Sequence, residues 1–336
     1  MNRRNIYDLT VSFILIILSN ASGLGQDGDQ NISHSHIKWI TEYPELEDTT
    51  SRKNLFTRIF NLIAGERVNR LSKPVSVIAE NNEDFWILDQ GFESVFQISN
   101  NHQKLIRYTD RHITNLKSVV GICSLPDGSF IFTESNVNRI YQIQPGKRKE
   151  IMVFNDTLSL NRPTGIAYSE VNGEIWLVET NKHQITILSR EGKPLRQIGK
   201  RGEGPGEFNF PTYIWIDKSG TAFIVDSMNF RIQIFDKEGN FEGMFGEIGD
   251  ATGYFARPKG IAVDSHGNIY VVDALFHNVQ IFDRSGNFLY HFGAQGRDKG
   301  HFWLPMGIYI NRDDFIFIAD SYNSRIQKFQ FVDGNE

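Results

Sequence analysis

The sequence predicts an all-β fold: a six-bladed β-propeller with four antiparallel strands per blade and one short N-terminal helix. Three observations predict it. One segment recurs six times at steps of 44 to 48 residues, a period that matches propeller blades. Each copy divides into four short apolar segments separated by glycine-containing turns. The composition, 40% hydrophobic and 12% aromatic with 26 Phe and 29 Gly, is that of a β-rich globular chain and not of a disordered one.

The repeat is plainest where residues 208–246, FNFPTYIWIDKSGTAFIVDSMNFRIQIFDKEGNFEGMFG, are set against 255–293, FARPKGIAVDSHGNIYVVDALFHNVQIFDRSGNFLYHFG. Equivalent positions run Pro74, Val119, Pro163, Pro211, Pro258 and Pro305. Apolar runs such as 269–272 and 279–282 read as strands. Asp264-Ser265-His266-Gly267 and the Asp283 to Asn287 stretch read as hairpin connections, in which glycine supplies the positive φ that other residues resist. This pattern excludes a helical repeat.

A formal charge of -5 gives no general reason to expect nucleic acid or an anionic membrane as partner. Cys123 is the single cysteine, so neither an internal disulfide nor a cysteine-based zinc site is available. Stability must come from packing.

In detail the repeats resemble the NHL family. The frame is an opening PxGI segment, a second strand ending in an acid, an Asn-x-Arg-Ile-Gln element and a strand closing on Phe-Gly. Asp226 with Asn229 and Arg231, and Asp320 with Asn323 and Arg325, fit in full. Blades 1 to 3 have drifted: Ser94 and Gln184 stand where the arginine belongs.

The remaining segments are read as follows. Residues 1–21 form a signal peptide or an uncleaved anchor: Arg3 and Arg4, an apolar run from Val11 to Leu18, and Ser19-Asn20-Ala21 as a small-x-small site. Residues 22–36 are a polar tether. Within 37–64, the alternation of Ile37, Trp39, Thr41 and Tyr43 suggests a ring-closing strand, because blade 6 ends after its third strand and an open ring would expose strand edges. The spacing of Leu55, Phe56, Ile59, Phe60 and Ile63, with Gly65 as a stop, suggests a helix over 52–63. The alternative makes 55–64 the closing strand. Residues 65–332 hold the six NHL-type blades and 333–336 a tail.

The resemblance implies that the interblade loops and the turns between strands two and three share one face around the channel mouth, and that ligands meet that face. The interblade loops carry more Lys and Arg than Asp and Glu. The ligand-binding candidates on this face are Arg70, Arg111, Arg162, Arg201, Arg257, Lys259, Arg297, His183, His277, His301 and Trp303. Several guanidiniums from different blades would suit one anionic ligand. Asp89, Glu134, Glu179, Asp226, Asp273 and Asp320 form a ring by repeat position; because an Arg or Asn follows at the fifth position in four of them, they read as scaffold holding a turn.

No catalytic residue, metal site or cofactor is expected, since nucleophile elbows, phosphate loops and HExxH motifs do not occur. The functional expectation is an exported, non-catalytic binding or scaffold module for a protein, peptide or glycan partner. Nucleic acid is not expected, and a membrane only through an uncleaved N-terminal segment. The alternative is a propeller lyase or hydrolase with a metal in the channel, similar to the peptide-amidating lyases, with His183 and His277 as the histidines to examine.

Overall fold

The computed structural model describes residues 37–44, 70–79, 81–99, 104–108, 113, 116–145 and 151–332. The expected export segment, the tether and the helix over 52–63 lie outside the described residues. Among the described residues no helix is long and apolar enough to cross a membrane.

Six antiparallel sheets of four strands each make the ring. Blades 1 to 5 are continuous in sequence and begin with Pro74–Ala79, Val119–Ser124, Pro163–Ser169, Pro211–Ile216 and Pro258–Val263. Blade 6 is composite. It takes its inner three strands from Ile308–Ile310, Phe315–Asp320 and Arg325–Phe331, and its outer strand from Ile37–Tyr43. The outer strand pairs antiparallel with the third, from Ile37 opposite Phe331 to Tyr43 opposite Ile326, with a bulge between Trp39 and Thr41. Two side-chain contacts anchor it: the Trp39 indole donates to Gln327 Oε1 at 3.0 Å, and Arg325 donates to the buried Glu42 carboxylate at 2.6 Å.

The core lies between the blades. Second strands such as Glu174–Glu179 and Ile269–Asp273 are buried nearly throughout because a neighbouring sheet covers each face. Phe208, Phe255 and Phe302, at one repeat position, are fully buried and explain the Phe-Gly ending of the preceding strand. Gly293 has φ +89°, and a Cβ there would stand 2.3 Å from the Phe302 ring.

Near the axis the second residue after each blade's opening position (Pro74, Val119, Pro163, Pro211, Pro258 or Pro305) is Ser76, Gly121, Gly165, Tyr213, Gly260 or Gly307. The glycines allow backbone to pass backbone. A Cβ on Gly165 would lie 2.8 Å from the Thr212 carbonyl oxygen, and one on Gly307 would lie 2.6 Å from that of Val75.

Candidate functional site at the loop face

The loop face is organised by the acid that ends each second strand. All six acids are buried, and the backbone N–H groups of the adjoining interblade loop satisfy them. Asp89 accepts from Ser72 and Lys73, Glu134 from Ser118, Glu179 from Asn161, Asp226 from Asn209, Asp273 from Ala256 and Arg257, and Asp320 from Trp303. A carboxylate accepting several donors can be buried without an unmatched charge. At Asp320 burial still outweighs the donors and holds the carboxyl above the ordinary carboxylate range.

The Asn-x-Arg-Ile-Gln element completes the frame where it is intact. Arg231 donates to Asp226 at 2.9 Å and to the carbonyls of Glu203, Gly204 and Glu207. Gln233 accepts from Gly206 N–H and donates to the Glu207 carbonyl. Arg325 and Gln327 repeat this around Asp298, Gly300 and His301. The rigid guanidinium fork suits a loop whose carbonyls converge, so these side chains shape the interblade loop from within.

A second device joins neighbouring blades. The residue closing each turn between strands two and three is left-handed in all six blades: Glu93, Asn138, His183, Phe230, His277 and Ser324. Where it is Asn or His, it accepts the N–H of the residue before the next blade's opening proline. Asn138 Oδ1 takes Arg162, His183 Nδ1 takes Phe210, and His277 Nδ1 takes Leu304. Arg162, Phe210 and Leu304 are themselves left-handed. Lys73, Ser118 and Arg257, which follow Ser324, Glu93 and Phe230, instead donate to their own blade's acid. The acceptor on one blade thus matches the loop conformation of the next. His183 is buried and packs edge-on against Phe210. Among the described residues no three His, Cys, Asp or Glu side chains are placed to hold a metal ion.

Among the cationic candidates, burial first and then the charges of Arg257 and Arg162, opposed by Asp273, bring the Lys259 pKa down to about 8. Arg70 stacks instead on Phe92, at 6.0 Å, and Arg297 on Trp303, at 5.2 Å, which leaves Trp303 half-buried. Arg201 is exposed. His301 uses its carbonyl to receive Arg325 and Gln327. Arg111 lies outside the described residues.

The sequence reading missed an apolar arc. Met228, Leu275 and Tyr322 occupy one repeat position, two residues after the acid, in consecutive blades 4, 5 and 6, and are 53%, 50% and 54% exposed. Their turns are tied to the interblade loops: Met228 N–H donates to the Asn209 carbonyl, and Tyr322 N–H to that of Trp303. Phe210, 37% exposed, lies beside them on the same face. The shared offset from the acid was the available signal.

Residues 154–229 match a family model described as a 6-bladed beta-propeller, and residues 255–282 and 302–329 each match the NHL repeat. No curated protein matches the chain. Among solved structures, virginiamycin B lyase from Staphylococcus aureus is similar, with TM-score 0.56 and 18% identity over 78% of this chain and 96% of that one. An auxiliary nutrient binding protein from Bacteroides thetaiotaomicron aligns with TM-score 0.62 and 18% identity over 79% of this chain and 70% of that one. A second, from Bacteroides ovatus, aligns with TM-score 0.60 and 14% identity over 77% and 69%. At such identities the likeness is one of fold. The chain folds as a six-bladed β-propeller and carries NHL repeats in its last two blades.

Proposed function

We propose that this protein is an exported binding module whose loop face docks a protein or peptide segment bearing both apolar and acidic side chains. The observation that carries the reading is the arc of Met228, Leu275 and Tyr322, each about half exposed on consecutive blades. Large apolar side chains aligned on one face mark interaction surfaces more often than scattered ones do. The charges of Arg257 and Arg162 reach Lys259, Lys73 lies 5.8 Å from the Tyr322 ring, and Arg297 lies 5.2 Å from the Trp303 ring. That charge favours an acidic partner, speeds its encounter and fixes its register. The frame beneath is hydrogen-bonded loop by loop, so little ordering entropy opposes binding. Export rests on Arg3 and Arg4 ahead of the apolar run at 11–18. The nutrient-binding names of two fold relatives accord with a binding role.

The experiment is capture of partners from the native envelope fraction by the full chain, compared with two variants. One carries Ser at Met228, Leu275 and Tyr322; the other carries Ala at Arg162, Arg201, Arg257 and Arg297. Loss of the same partner in the first, and salt-sensitive weakening in the second, is the expected outcome. A partner retained by both variants would remove the loop face from consideration.

A further inference from the structure

The start of the innermost strand of blade 5 carries a positive charge that the protein does not neutralise. Lys259 is the second residue of Pro258–Val263 and is partly buried, though its ammonium still reaches solvent. The other five blades carry Val75, Val120, Thr164, Thr212 and Met306 at that repeat position, all uncharged. The strand is tight against its neighbour here, since the next residue, Gly260, donates its N–H to the Met306 carbonyl at 2.8 Å. An ammonium drawn out of water is costly unless it is paired. Among the described residues it has no hydrogen-bond or ion-pair partner. Asp273 is the one carboxylate among them whose charge reaches it, and that group is already committed to the N–H groups of Ala256, Arg257, Leu275 and Phe276.

Two guanidiniums reach it as well. The residue before each blade's opening position is Lys73, Ser118, Arg162, Phe210, Arg257 or Leu304, so the cations fall on blades 1, 3 and 5, every second blade around the ring. Lys73 lies 5.8 Å from the Tyr322 ring. Arg162 and Arg257 are exposed, and their side chains make no hydrogen bond or ion pair among the described residues. Both charges act on Lys259 and, after burial, lower its pKa. The two backbones are pinned, the Arg162 N–H on Asn138 Oδ1 at 2.7 Å and the Arg257 N–H on Asp273. Three like charges held from fixed points repel one another, and a bound anion relieves that repulsion.

We infer that Lys259, Arg162 and Arg257 form a receptor for a tetrahedral, dianionic oxyanion of the phosphate class, taken as the free ion or as a monoester on a partner. A single carboxylate would leave two of the three charges unmatched. The cations also come from two blades that are not neighbours, so the ligand must offer oxygens on more than one side. A tetrahedral group does so, whereas a planar carboxylate offers its two oxygens on one edge. Guanidinium forks and a lysine point charge are the side chains that such oxygens suit. The inference rests on the reading of this face as a binding surface and names the anionic group it takes.

The test uses the full chain at fixed ionic strength, with inorganic sulfate as the probe because its charge is constant through the neutral range. Calorimetry should show saturable binding, weakened roughly tenfold by Lys259→Met and by Arg162→Ser. Met306 and Ser118 already stand at those repeat positions, so the fold accepts both substitutes. Wild-type affinity should fall as pH rises through about 8 and the ammonium is lost, and Lys259→Met should show no such step. Ligand-free Lys259→Met should melt higher than wild type, because an unpaired charge is gone. A lysine with a purely structural role would melt lower when replaced and leave affinity unchanged, which would overturn the site. Acetate bound as tightly as sulfate would overturn the ligand class. Sulfate stabilises folded proteins generally by exclusion from their surface, so an effect equal in wild type and both variants would also overturn the site. Phenyl phosphate against inorganic phosphate separates the sources: tighter binding of the ester supports a partner's monoester, and tighter binding of the ion supports the free anion. Partner capture without sulfate binding would sink this inference and leave the docking surface standing; sulfate binding without partner capture would do the reverse.

Discussion

His277 Nδ1 accepts the backbone N–H of Leu304 at 3.0 Å across the seam between blades 5 and 6. The donor belongs to a left-handed residue just before Pro305, a conformation that non-glycine residues and pre-proline positions both resist. The imidazole compensates the strain it meets, and Asn138 does the same for Arg162.

Removing that acceptor should therefore be costly, and replacing it by another should not. His277→Ala orphans the Leu304 N–H and puts a less tolerant residue into the left-handed position, and is expected to lower stability by about 2 kcal/mol. His277→Asn keeps an acceptor and a residue at ease with positive φ, and should restore most of it. Urea unfolding of the two variants distinguishes an acceptor role from simple packing.

The same contact predicts a pH dependence. Burial lowers the His277 pKa, opposed by Asp320 and Asp273, so the folded protein prefers the neutral ring. A depressed histidine pKa means that the unfolded chain binds the extra proton first as pH falls below about 6.5. Stability is then present above that value and declines as pH drops through it toward the folded pKa. Denaturant midpoints from pH 7.5 to 5 should fall more steeply for the wild type than for His277→Asn.

Arg231 holds a buried carboxylate and three loop carbonyls. Arg231→Met strands the Asp226 charge and is expected to cost about 3–5 kcal/mol. Arg231→Lys keeps the charge but reaches fewer acceptors, and should fall between the two. Thermal unfolding of the two variants against wild type checks the order.

The axis sets a steric limit. In Gly165→Ala the new methyl meets only backbone, with atoms of the next blade at 2.8 and 2.9 Å, so the ring must widen at an expected cost of about 1–3 kcal/mol or more. Gly243→Ala lies on an outer strand with nothing within 4 Å of the added Cβ and should be neutral or slightly stabilising. Denaturation midpoints of the two give the contrast directly.

The blades were legible because their determinants are local. The recurrence of Pro258-Lys259-Gly260-Ile261 as Pro305-Met306-Gly307-Ile308, the acids at Asp226, Asp273 and Asp320, and the Phe-Gly strand ends at 246 and 293 each act within one hairpin or its adjoining loop. Much of the loop face was harder to read. Met228, Leu275 and Tyr322 look like ordinary turn residues until three consecutive blades present them together, and Arg70 and Arg297 look free until each is found on an aromatic ring.

By itself, then, the sequence determined the repeat, the strand count and the chemistry available at each repeat position, since alternation, turn glycines and short-range hydrogen bonds need only neighbouring residues. Tertiary structure alone decided which partner each side chain met. Glu42 finds Arg325 across 283 positions, His277 finds Leu304 across 27, and Glu170 finds Arg312 across 142. These distances are bridged by ring closure, and a one-dimensional pattern carries no record of them. Tyr213 and Trp215 differ from their repeat equivalents in the sequence, but only the closed ring sets Trp215 edge-to-face against Tyr309 of blade 6.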